Sequence, residues 1–228
     1  MSAHFFRPVR SRLTASCWLQ SLAALIFPPM FACAQHSGSS ANAHMHRHDF
    51  DELVARFEAP ERAAWQKPEM VIVLLEPLEG RTVADIGAGS GYFTFRIAAK
   101  ASRVIAIDID QRFIDYIAEK GNPKVETRLT TPDFPGLGRG EADVVLIVTT
   151  YHHIDDRVNY LKKLKAGMAD GGVLLIVDYK KEPTRHGPPV EIRVGQSEVE
   201  AELTEAGFTV ELTDLETLPE QYLLKARP

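Results

Sequence analysis

No cysteine follows position 33 in this 228-residue chain; Cys17 and Cys33 are its only two. The rest of the chain therefore has no disulfide, no thiolate metal site and no thiol nucleophile. An excess of positive charge is missing as well. There are 26 Lys and Arg against 31 Asp and Glu, a net charge of −5. Arg7, Arg10 and Arg12 put +3 on residues 1–34, which leaves −8 on residues 35–228. Phosphate backbones are captured by Lys and Arg, so no nucleic-acid partner is expected from the global field of this body. Long apolar runs are also lacking. The most apolar stretch, residues 13–27, is short and interrupted by Ser16, Gln20 and Ser21, so no stable membrane span is expected beyond that segment. No internal repeat is present. What remains, 45% hydrophobic and 25% charged residues, is ordinary for a globular domain with one sizeable core.

The first 34 residues have their own layout. Residues 1–12 are basic, residues 13–27 are mostly apolar, Pro28 and Pro29 break any helix, and Ala32-Cys33-Ala34 precedes Gln35. This is the order of a secretory signal peptide, with the cut expected after Ala34 and the body exported, to a periplasm. A second reading makes Cys33 a lipidated residue. Ala32 suits that pattern, and Met30 and Phe31 fit it poorly. A third is an uncleaved extension on a cytoplasmic protein. Residues 35–49 read as a linker in which His36, His44, His46 and His48 could bind a divalent transition metal. No cysteine completes a closed site there, and no metal ligand is assigned in the body, residues 50–228.

That body alternates between helical and strand periods. Residues 61–75 read as a helix ending near Pro77, residues 81–86 as a buried strand, and residues 92–100 as a helix. A strand over 104–108, a helix over 112–120 and strands over 125–129 and 142–148 follow. Next come a helix over 158–168, a strand over 173–178 and a helix over 198–206 stopped by Gly207. Two last apolar runs, 208–215 and 222–226, flank a turn at Pro219. Continuous apolar strands separated by helices predict an α/β fold with a parallel sheet covered on both faces. The last two runs are joined too closely for a parallel crossover, so they should form an antiparallel hairpin.

The most informative stretch is Val83-Ala84-Asp85-Ile86-Gly87-Ala88-Gly89-Ser90-Gly91-Tyr92, where the first strand meets the first following helix. Ligands of open α/β sheets bind at the carboxyl ends of strands, and glycines there let a ligand approach the backbone. A dinucleotide fingerprint is spaced G-x-G-x-x-G; here the spacing is G-x-G-x-G and Tyr92 follows. Asp85 also argues against a pyrophosphate, which a nearby carboxylate would repel. S-adenosylmethionine (SAM) instead presents an ammonium and a sulfonium, which a carboxylate attracts. Asp108 ends the second strand, where a carboxylate can accept hydrogen bonds from ribose hydroxyls, so it supports a nucleoside without separating SAM from a dinucleotide.

Together with Ile107-Asp108, the run Asp143-Val144-Val145-Leu146-Ile147-Val148 and the run from Leu164 to Gly172, this stretch resembles the class I SAM-dependent methyltransferases over roughly residues 60–226. The resemblance implies a Rossmann-like, seven-stranded, mostly parallel sheet with helices on both faces and a C-terminal antiparallel hairpin, and SAM as cofactor. It implies that Asp85 with Gly87, Ala88, Gly89 and Gly91 lines the methionine end, and that Asp108, with Ile109 beside it, holds the ribose. Asp133 becomes a candidate for the adenine edge. Gln66, in Trp65-Gln66-Lys67-Pro68, could reach the SAM carboxylate, whereas Trp65 reads first as core.

Thr149-Thr150-Tyr151-His152-His153 follows the fourth strand, on the edge that faces the methyl group in similar enzymes. Methyl transfer from a sulfonium is a direct displacement, which needs a base only where the acceptor must lose a proton. His152 or His153 is the candidate base, and Tyr151 could orient the acceptor. No Asn/Asp-Pro-Pro-Tyr element follows the fourth strand, which argues against base-amine methylation in DNA, and cysteine-based schemes do not fit. The expected function is transfer of a methyl group to a small-molecule acceptor, with the loop at His186-Gly187-Pro188-Pro189 shaping its pocket. Two rivals stand beside it. One is a nucleotide-dependent oxidoreductase, disfavoured by the glycine spacing. The other is an exported, non-catalytic SAM- or metal-binding module, favoured by the export signal because SAM is made in the cytosol.

Overall fold

The computed structural model describes residues 49–228. The expected signal segment, the Cys33 anchor and the histidines at 36, 44, 46 and 48 lie outside the described residues.

Seven strands form one sheet: β1 Thr82–Ile86, β2 Arg103–Asp108, β3 Val125–Leu129, β4 Ala142–Val148, β5 Met168–Tyr179, β6 Thr209–Asp214 and β7 Gln221–Arg227. Their order is β3-β2-β1-β4-β5-β7-β6. The first five pair in parallel, and β7 runs antiparallel to both β5 and β6. The expected sheet and its terminal hairpin are thus present. Strand order reverses between β1 and β4, which opens the crevice where ligands bind in this architecture.

Alternation along the strands assigns the two cores. Ala84 and Ile86 of β1, with Ile105, Ile107, Val145 and Ile147, pack on one face. That face is covered by α6 (Arg157–Gly167) and α7 (Gln196–Glu205), through residues such as Leu161, Leu164, Val199 and Leu203. Val83, Val104, Val144 and Leu146 point the other way, against Val71 and Ile72 of α3 (Pro68–Val73) and Ile97 of α4 (Thr94–Ala98). Strands buried on both faces have no polar side to show, so their sequences are unbroken apolar runs.

Some elements depart from the sequence reading. The helix expected over 61–75 is two helices, α2 (Arg62–Gln66) and α3, broken at Lys67 with φ +45°. Pro68 disfavours the right-handed helical conformation of the residue before it, while itself fitting the first turn of the next helix. β5 starts at Met168 rather than 173, because the Gly171 turn lies within an irregular strand. An additional helix, α1 (Phe50–Phe57), precedes all of these. The Asp49 carboxylate caps it, accepting from the backbone of Asp51 at 2.9 Å. Helix α5 (Gln111–Glu119) follows β2. Among the described residues no helix is long and apolar enough to cross a membrane.

Candidate active site

The loop after β1 folds back on the end of β2. Gly87 and Ala88 donate to the Ile107 carbonyl at 2.8 and 3.0 Å, and Gly89 N–H donates to Asp108 Oδ2 at 2.9 Å. Gly87 has φ +72°, and a Cβ there would stand 2.1 Å from Thr150 Oγ1. A side chain at that position is excluded twice, by backbone conformation and by space. Gly89 has φ +54°, and a Cβ on it would press on the Phe57 ring at 3.2 Å.

Two buried carboxylates flank this loop. Asp85, 3% exposed, accepts 2.6 Å from Thr94 Oγ1. Burial pushes its pKa up to about 6; the Thr94 hydrogen bond opposes the rise and the nearby Asp108 charge adds to it. Asp108 is raised as well, through burial, against backbone hydrogen bonds from Asp110 and Gly89. Removing two carboxylates from water is unfavourable, and a cationic ligand between them offsets that cost.

Asp85, Gly87, Ala88, Gly89, Asp108 and Ile109 all line one cavity of about 150 Å3 at the carboxyl ends of β1 and β2. Gly91 is one turn further on, its N–H bonded to the Ala88 carbonyl at 2.9 Å, and is not part of the wall. Asp133 is outside the cavity, exposed, 3.8 Å from Lys163 Nζ; its neighbours Thr130, Thr131 and Pro132 form the wall instead. Gln66 is also outside. It is fully buried, accepts from Arg62 Nε and donates to Gln221 Oε1 at 3.0 Å. Ser90 Oγ and Tyr92 OH, both on this wall, are buried polar atoms without a hydrogen-bond partner among the described residues. A nucleoside or amino-acid ligand would satisfy them. The donor set thus fits SAM: carboxylates for its cationic groups and its ribose, and orphaned hydroxyls for its remaining polar atoms.

A second cavity, about 440 Å3, adjoins the first. Phe57, Arg62, Thr149 and His153 belong to both walls. Thr149 holds φ +53° at the end of β4, a conformation that costs a non-glycine residue roughly 1–2 kcal/mol. Strain of this kind concentrates where backbone direction matters for function. Arg62 reaches the boundary from α2, its guanidinium 4.1 Å over the Tyr92 ring and 2.6 Å from the Phe57 carbonyl. Desolvation draws its pKa down to about 10, against the pull of Tyr92, Tyr179 and Asp85.

The three residues of the single 3-10 turn Tyr151–His153 diverge. Tyr151 turns away from both cavities, and its hydroxyl donates 2.7 Å to Glu202 on α7. His152 lines the second cavity. Its Nδ1 is 2.9 and 3.0 Å from the two carboxylate oxygens of Asp178, which is 1% exposed near the end of β5. Burial alone would raise Asp178, but the His152 ring and backbone donors from His152 and Tyr179 outweigh it and hold the carboxyl below its ordinary range. With Nδ1 held, Nε2 is the His152 nitrogen left for a ligand. The His153 ring lies 4.3 Å from that of His152, tilted by 38°; burial, then the His152 ring, push its pKa down to about 3 while Asp178 pulls the other way, so it stays neutral near pH 7. Trp65 is half-buried on the second cavity rather than in the core, stacked on His186 at 4.8 Å.

Sequence reasoning missed Arg62, Asp178 and Phe57. Asp178 carried a signal: like Asp85 and Asp108, it lies near the carboxyl end of a parallel strand. Among the described residues no group of three or more His, Cys, Asp or Glu could hold a metal ion.

Comparison with known proteins bears on the class. The family model described as a methyltransferase domain matches residues 84–174. A tRNA U34 carboxymethyltransferase of Pseudoalteromonas translucida is 33% identical over 119 residues, covering 50% of this chain and 37% of the relative. A ubiquinone biosynthesis O-methyltransferase of Paramagnetospirillum magneticum is 31% identical over 106 residues, covering 45% of this chain and 42% of the relative. The chain therefore spans about two fifths of the length of these curated relatives. The solved structure of a SAM-dependent methyltransferase from Aquifex aeolicus superposes with a TM-score of 0.73 and 26% identity, covering 78% of this chain and 98% of that one. Residues 84–174 thus match a methyltransferase domain and the fold is that of SAM-dependent methyltransferases, a class whose cofactor is SAM. A relative named for tRNA removes the force of the net-charge argument against nucleic acid.

Proposed function

We propose that this protein is an enzyme that methylates a small-molecule acceptor, with SAM in the first cavity and the acceptor in the second. The observation that carries the reading is the shared wall. A cavity lined by buried carboxylates meets a larger one at Thr149 and His153, beside the strand-order reversal. When bound, SAM supplies an electrophilic methyl group on a sulfonium. Asp85 favours the cationic end, and Asp108 accepts hydrogen bonds from the ribose. The glycines keep the loop clear of side chains. His152 takes a proton at Nε2 from the acceptor, while Asp178 is the positioning residue that holds Nδ1 and favours the imidazolium that forms. His153, kept neutral, closes the wall between the cavities and excludes water. The second cavity, about 440 Å3, has the size of a small-molecule site.

The test is calorimetric titration of the full chain with SAM, followed by an acceptor screen that includes unmodified tRNA. Methyl incorporation into small molecules and not into tRNA is expected; incorporation into tRNA alone would overturn the acceptor class. Export, if residues 1–34 direct it, favours a second reading, a binding module without turnover. SAM binding with no methyl incorporation across the screen would select it. Export itself is part of our proposal for residues 1–34: fused to a reporter active only outside the cytosol, they should confer activity, and an inactive, intact fusion would refute it.

A further inference from the structure

We infer that the acceptor is a planar aromatic alcohol, methylated on its hydroxyl oxygen. The inference rests on the two-cavity reading above and adds the chemistry of the second cavity. Three observations carry it.

Flat faces form the wall. Trp65 and His186 lie nearly parallel, 13° apart, and the Trp65 and Tyr179 ring centroids are 6.1 Å apart. Aromatic walls reward a planar ligand beyond its buried area. The wall is also held in place. Glu220 accepts from His186 N at 2.9 Å and stands 3.0 Å from His186 Nδ1. Arg193, 5% exposed, donates to the carbonyls of Lys180, Glu182, His186 and Pro188, and to Thr184 Oγ1. One buried guanidinium thus staples the loop that carries His186 and the two prolines, so the surface is formed before a ligand arrives.

The charge is wrong for an amine. Arg56 and Arg62 line this cavity, with Glu61 as the acidic residue on its wall. Two guanidiniums against one carboxylate on the wall, with the Asp178 and Glu220 carboxylates engaged by His152 and His186 behind it, favour a group that develops negative charge, as a hydroxyl does when it ionises, over an ammonium. A base is in position for that hydroxyl: His152, backed by Asp178, lines the same wall. The step balances. The acceptor oxygen bonds to the methyl carbon, the carbon–sulfur bond breaks with its electron pair staying on sulfur, and the hydroxyl proton moves to His152 Nε2.

The experiment titrates the full chain, saturated with S-adenosylhomocysteine, with catechol, 3,4-dihydroxybenzoate and 2-naphthol, and with phenylethylamine as the amine control. We expect at least one hydroxyl compound to bind, phenylethylamine not to, and Trp65→Ala to weaken the binding roughly tenfold while leaving S-adenosylhomocysteine affinity unchanged. Incubation with SAM should then add one methyl to oxygen, read by mass and by loss of the hydroxyl signal. Failure of all three hydroxyl compounds, equal binding of the amine, or an unaffected Trp65→Ala variant would overturn the inference. Failure to bind S-adenosylhomocysteine at all would overturn the two-cavity reading first and this inference with it.

Discussion

Replacing Asp178 by Asn removes one charge and almost no volume. The carboxylate stands 2.9 Å from His152 Nδ1 in a site that is 1% exposed. When His152 takes a proton, the two form an ion pair. Unit charges about 4 Å apart at an effective dielectric near 20 attract by roughly 4 kcal/mol. Losing most of that at the transition state corresponds to a fall in kcat of about 10²- to 10³-fold. Because Asp178 is on neither cavity wall, SAM affinity and acceptor KM should change by less than about threefold. Folding is a separate matter. Asp178 also accepts from the backbone of Tyr179 and His152, and Asn keeps one acceptor oxygen, so about 1–3 kcal/mol of stability is at risk. The assay measures kcat and KM with two acceptors, one ordinary and one with a hydroxyl acidic enough to be ionised beforehand. An ionised acceptor needs no base, so the variant should approach wild-type rates on it. A folded variant with unchanged kcat on the ordinary acceptor, or an equal loss on both, would refute the role of His152 and Asp178 in proton removal.

Other consequences follow from the same site. Asp85 is raised to about 6 without ligand, so it is half protonated there; a bound cation favours its charged form. SAM affinity should therefore rise as pH climbs through about 6, with protons released on binding, seen as a binding heat that depends on the buffer; a flat profile from pH 5 to 7.5 would contradict this. Gly87→Ala brings a methyl group into Thr150 and strains φ, so it should cost roughly 2–4 kcal/mol and abolish SAM binding, checked by thermal melting and calorimetry. Arg193→Ala should loosen the 180–192 segment, raising acceptor KM and protease sensitivity there with SAM affinity intact; a protease-resistant loop would contradict the staple.

How much of this was legible beforehand depends on what each element obeys. β3 and β4 match the runs read from sequence; β4 does so because a buried parallel strand needs only apolar side chains and its pattern is local, whereas β3, at the sheet edge, is only partly buried and carries Glu126, Thr127 and Arg128 between Val125 and Leu129. The break at Lys67 was written in Pro68 but lost within an otherwise periodic run. Helix α1, absent from the expected elements, also has local signals in the Asp49 cap and the spacing of Phe50, Leu53 and Phe57. The candidate site was less accessible. Tyr151, His152 and His153 are consecutive, and only the geometry of a 3-10 turn, about 120° per residue, sends the first toward α7 and the others toward the cavities. Gln66 and Arg62 share one helix, and which of them faces the cavities depends on a partner on β7, Gln221, 155 residues further on. No local pattern carries that contact.

The central claim is that the first cavity holds SAM through its two buried carboxylates. Calorimetric titration of the wild-type chain with SAM, beside the double variant Asp85→Ala, Asp108→Ala, tests it most directly. Saturable binding to a single site in the wild type, lost in a folded double variant, is the predicted result. A well-folded wild type that does not bind SAM, or a double variant that binds it as tightly, would contradict the account.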